Sequence, residues 1–75
     1  MNIVIGVRDA RGDAFEVEID WRWVGHLVHW RAALWSARGI EQRFSGTAET
    51  SVGLEALVQK QVFSWFNRDL QPARP

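Results

Sequence analysis

The chain has 75 residues, with nine basic and nine acidic side chains, no cysteine and a formal net charge of zero. Those figures give a single small domain spanning residues 1–75, exclude disulfides and thiolate zinc centres, and leave no basic surplus of the kind a general nucleic-acid binder carries. Five tryptophans and four phenylalanines, each able to bury roughly 150–250 Å², supply core material for a chain that hides only about 60% of its unfolded surface.

Asn2–Arg8, NIVIGVR, is short and β-branched and predicts a first strand. It comes too early and is too short for a signal peptide, and no basic segment precedes it. No apolar stretch approaches the roughly 20 residues of a membrane span, so a soluble, cytoplasmic protein is expected. Asp9–Asp13, DARGD, supplies turn formers, with Gly12 free to take positive φ. The Arg-Gly-Asp tripeptide within it reads as ordinary turn chemistry. From Phe15 the pattern has period two: Phe15, Val17, Ile19, Trp21 and Trp23 alternate with Glu16, Glu18, Asp20 and Arg22. That predicts a second strand with one buried and one wet face.

Trp23–Gly39 admits two readings, with residues 26–37 either helix or strand. As a helix from about Arg22, they put Trp23, Val24, Leu27, Val28, Trp30, Leu34 and Trp35 on one arc capped by Gly39. Arg31 and Arg38 then fall inside the apolar arc. As a strand, they turn Val28, Trp30, Ala32 and Leu34 inward and His29, Arg31 and Ala33 outward, with Gly25 at the chain reversal. The strand reading is preferred, although it sends Trp35 to the wet face. In either reading Trp23, Trp30 and Leu34 are expected in the core.

Ser36–Gly39 reads as a turn. Ile40, Gln42 and Phe44 then alternate with Glu41 and Arg43, a fourth strand ending at Gly46. Thr50 or Ser51 offers an N-cap for a helix over about residues 51–69, with Leu54, Leu57, Val58, Val62, Trp65 and Phe66 as its apolar stripe. Residues 71–75 are expected to form a frayed tail. The fold expected is α+β: a four-stranded antiparallel meander followed by one C-terminal amphipathic helix on one sheet face, ββββα. A single helix covers one face only, so the other must meet water or a partner.

Chemical motifs are sparse. His26 and His29 fall on opposite sides of a strand and lack companion ligands, so no metal is expected. Glu16, Glu18 and Asp20 could be paired catalytic carboxylates, but a flat wet strand provides no cleft to raise one pKa. They are expected instead to pair with Arg31 and Arg43 on neighbouring strands. No nucleophile elbow or phosphate loop occurs. The sequence therefore predicts no catalytic residue and no cofactor. It points to a non-enzymatic interaction module that binds a protein partner through His29, Arg31, Trp35 and Arg43 on the uncovered face. Two alternatives stay open: a phage or mobile-element inhibitor whose acidic row imitates phosphates, and a weak single-stranded nucleic-acid binder using Trp35 and the arginines. Phe63 falls outside the apolar stripe of the helix. In a near-neutral chain it is a candidate for weak homodimerisation, the protein otherwise being monomeric.

Overall fold

A computed structural model describes residues 1–68. Four strands, β1 (Asn2–Arg8), β2 (Ala14–Val24), β3 (Leu27–Ser36) and β4 (Gly39–Ala48), form one antiparallel sheet in the order β1-β2-β3-β4. One helix, α1 (Leu54–Phe66), follows. The ββββα meander expected from the periodicities is the observed fold, and residues 27–36 are strand.

Turn chemistry sets each reversal. Between β1 and β2, the Asp9 carboxylate accepts hydrogen bonds from the backbone N–H groups of Arg11 and Asp13, both at 2.9 Å. Val24 pairs with Leu27 across a two-residue turn whose first residue, Gly25, has φ 63°. Positive φ at that position is what a tight hairpin with the right strand twist requires. Ala37 and Arg38 make the third turn, closed by Ser36 against Gly39.

The buried face carries Val17 and Ile19 from β2 and Val28, Trp30, Ala32 and Leu34 from β3. Leu54, Val58 and Val62 of α1 pack onto them. Full burial of such side chains contributes roughly 1.5–3 kcal/mol each, and no polar or charged residue is buried among them. Trp30 is 2% exposed and lies over Gly46, its partner on β4. A methyl group at Gly46 would stand 2.8 Å from its Cζ2. Gly46, expected to end the strand, lies inside β4, two residues before its end at Ala48.

Three further expectations need correction. Trp23, expected in the core, is about half exposed. Phe66 at the C-terminal end of α1 packs 5.0 Å from Phe15, and a 13-residue helix spans about 20 Å. Trp23 lies about 27 Å along β2 from Phe15; its partner on β3, Val28, is fully buried, so the core covers that row over β3 and not over the end of β2. The helix starts at Leu54, and its N-cap is Gly53, with φ 78° and no side-chain cap. Thr50 instead accepts the Val52 N–H in the preceding turn. Last, Ile40 does not share a face with Gln42 and Phe44. Ala32 pairs with Phe44 and Leu34 with Gln42, but Trp35 pairs with Ile40, leaving Glu41 as an extra residue. That is a β-bulge, and it moves Ile40 to the face opposite the helix. The end of the expected helix at residue 69 and the expected frayed tail lie outside the described residues. Among the described residues, no helix is long and apolar enough to cross a membrane.

Candidate functional site

The sheet face opposite α1 is built in rows by the strand register. Arg22, His29 and Thr47 form one row. Asn2, Asp20, Arg31 and Ser45 form the next, then Val4, Glu18, Ala33 and Arg43, then Gly6, Glu16, Trp35 and Ile40. Four residues expected to bind a partner, His29, Arg31, Trp35 and Arg43, all lie on this face. They do not converge to a point. His29 and Trp35 are six residues apart on one strand, about 20 Å, so together they outline a strip and not a pocket.

The strip changes character along its length. At its centre Arg31 approaches Asp20 at 3.6 Å. Both groups are well exposed, so the pair contributes roughly 0–1 kcal/mol. Among the described residues this is the ion pair between side chains that bridges two strands of the face. The expected pairing of an acid with Arg43 does not form. Ala33 stands between Glu18 and Arg43, separating them by two strand spacings, about 10 Å. Ala33 is only 8% exposed despite facing outward. It floors a shallow depression of about 480 Å³ rimmed by Asn2, Glu18, Asp20, Arg31 and Arg43. A second, of about 540 Å³, lies across the Asp20–Arg31 pair and is lined by Arg22, His29, Ser45 and Thr47.

At the far end the bulge brings Ile40, 38% exposed, beside Trp35, 40% exposed. Glu41 is tied down there, accepting from the Ser36 hydroxyl at 2.9 Å and pairing with Arg38 at 3.1 Å. Ile40 belongs to the candidate surface and was missed because simple alternation puts it inside. A signal existed. The Ser36–Gly39 turn fixes partner numbers that sum to 75, whereas Ala32 opposite Phe44 sums to 76. The difference of one residue is the bulge.

The three carboxylates Glu16, Glu18 and Asp20 stand in line along β2 without an enclosing cleft. His26 sits in the β2–β3 turn and His29 on the strand beyond it. Among the described residues no group of three or more His, Cys, Asp or Glu side chains could hold a metal ion. Phe63 projects from α1 away from this face's strip. It is partly exposed, with its ring 6.2 Å from that of Phe66. No known protein family, no curated protein and no solved structure matches this chain.

Proposed function

We propose that this chain is a small non-enzymatic protein-interaction module. It docks a protein partner on the uncovered sheet face, with Trp35 and Ile40 as the apolar anchor and His29, Arg31 and Arg43 as its polar flank. The observation that carries this reading is the Trp35–Ile40 pair, two large apolar side chains left over a third exposed beside Arg43. Trp and Arg are the residue types on which binding energy concentrates, and such anchors work when polar neighbours keep water out around them. The mixed charge of the face favours a protein over a phosphate backbone. The face carries Arg22, Arg31 and Arg43 beside an equal number of acids, Glu16, Glu18 and Asp20, so it has no cationic surplus for counterion release from phosphates. The pairing of Asp20 with Arg31 likewise weakens the acidic row as an imitation of phosphates. The function requires no cofactor and no membrane.

The test compares the parent chain, Trp35→Ala and Phe63→Glu as baits in a lysate of the native host. A partner engaged on this face is retained by the parent and by Phe63→Glu and lost by Trp35→Ala. Once that partner is purified, Trp35→Ala weakens its affinity about thirtyfold, the equivalent of roughly 2 kcal/mol. The melting temperature moves little, because the side chain is not core. A partner that binds Trp35→Ala as tightly as the parent overturns the assignment.

A further inference from the structure

The outer edge of β1 is a second surface, independent of the face described above. Its chemistry follows from which backbone groups point where. Met1 and Trp21 exchange both backbone bonds, the Met1 amino group donating to the Trp21 carbonyl at 2.7 Å and the Trp21 N–H to the Met1 carbonyl at 3.0 Å. Hydrogen-bonded and non-hydrogen-bonded pairs alternate along an antiparallel ladder, and β1 stays in register with β2 from Asn2 to Arg8 without a bulge. Ile3, Ile5 and Val7 therefore turn their N–H and C=O groups toward β2. Those of Asn2, Val4, Gly6 and Arg8 point outward, where nothing among the described residues pairs with them.

Edge strands of stable proteins are normally blunted by a bulge, an interior charge or a proline. β4, the other edge, has a bulge at Glu41 and the charges of Glu41 and Arg43. β1 has none of these devices. Its interior, IVIGV, is uncharged and uninterrupted. Val4 is 56% exposed, and Ile3 and Ile5 on the helix side are only partly covered.

We propose that β1 pairs with β1 of a second copy of this chain, antiparallel about a two-fold axis through Ile5, joining two four-stranded sheets into one of eight strands. The sequence is self-complementary in that register. Asn2 faces Arg8 of the second copy, and Val4 faces Gly6 of the second copy. Each of these pairs, and each of its two-fold mates, can exchange two N–H···O bonds. On the helix side Ile3 meets Val7 of the second copy and Ile5 meets its own equivalent. The half-covered isoleucines are thereby packed, and no like charges stand opposed. Gly6 leaves room beside the exposed Val4. A two-fold interface of this kind buries the same patch on both copies and closes on itself, leaving only the blunted β4 edges outside.

Sedimentation equilibrium over a range of concentrations tests the proposal, with Val4→Pro, Phe63→Glu and Trp35→Ala beside the parent. The parent is expected to approach twice its 8.6 kDa as concentration rises. Val4→Pro removes an outward N–H without touching the β2 ladder, a position at which edge strands tolerate proline. It is expected to stay monomeric with the parent's circular dichroism, while the other two variants dimerise like the parent. Should Val4→Pro fail to fold, hydrogen exchange on the parent decides. Protection of the Val4, Gly6 and Arg8 amides is then expected to rise with concentration, and that of the outer β4 amides to stay constant. A parent that is monomeric throughout, or a dimer that survives Val4→Pro, overturns the proposal. A dimer abolished by Phe63→Glu assigns self-association to the outer helix face instead, and one abolished by Trp35→Ala assigns it to the open sheet face.

Discussion

Three tryptophans of similar sequence context have three different fates, and position on the sheet decides each. Trp30 lies midway along a central strand, beneath the helix and over a glycine. Trp35 is on the same strand but odd in number against Trp30, so it faces outward. Trp23 has the inward parity and yet is half exposed, because the core covers its row over β3, at Val28, and not over the end of β2. Gly46 is the residue most tightly constrained by this arrangement. The Trp30 indole occupies the space a side chain would take, with its ring atoms 2.8–3.1 Å from where a methyl carbon would stand. Trp30 cannot retreat, being closed in by the core on its other side, and its Nε1 has no hydrogen-bond partner to trade. Gly46→Ala is therefore expected to destabilise the fold by roughly 1–3 kcal/mol, the range for overpacking a tight core, although alanine is otherwise the better strand residue of the two. Urea denaturation of the two proteins measures it. An unchanged midpoint would mean that Trp30 has an alternative rotamer available.

At the scale of elements, the hairpins carry the information that the strands lack. The first depends on one carboxylate. Asp9 receives the N–H groups of Arg11 and Asp13, and its backbone carbonyl accepts from Gly12 at 3.0 Å. Asp9→Ala deletes the two side-chain bonds and is expected to cost about 1–2 kcal/mol in the same assay. Asp9→Asn keeps an acceptor oxygen and should lose less than half of that. Equal losses in the two variants would show that the charge of Asp9 matters and its hydrogen bonds do not. The strands were legible from alternation because one face is apolar almost without exception: Val17, Ile19 and Trp21 on β2, Val28, Trp30, Ala32 and Leu34 on β3. Positions where alternation misleads have physical causes outside the local pattern. Ile40 is displaced by the conflict between a two-residue turn and the core register. Trp23 depends on which strands the helix, distant in sequence, covers. The capping of α1 was misplaced because Thr50 and Ser51 shape a turn before Gly53, and only Gly53 has the backbone freedom to start the helix there. The four residues of the candidate strip share a face as their parity implied. The missing pairing of Arg43 with an acid needed the strand order, which places β3 between β2 and β4.

On the scale of the whole molecule, neither layer can stand alone. A helix of 13 residues is marginal in water whatever its sequence, and α1 has no side-chain cap at its N-terminus and no basic residue in its last turn. It persists because Leu54, Val58 and Val62 are buried against the sheet. The sheet has the reverse problem. Without α1 it would present Val17, Ile19, Trp30 and Leu34 to water on one side while its other side already carries Trp35 and Ile40, a two-faced apolar sheet inviting aggregation. Each layer thus supplies the other's missing surface, and every ion pair among the described residues has at least one exposed partner, so each contributes too little to hold a subdomain together. Unfolding is therefore expected to be a single cooperative transition. Far-ultraviolet circular dichroism, which weights the helix, and the fluorescence of the five tryptophans, buried Trp30 among them, should trace coincident urea curves at one fixed protein concentration. Raising that concentration should shift both curves together if the β1 dimer forms, since mass action stabilises whatever the native state assembles into. A circular-dichroism transition that precedes the fluorescence change would show the helix leaving an intact sheet. Mutual support between the two layers would then be wrong, and the strands would have to carry a stability of their own.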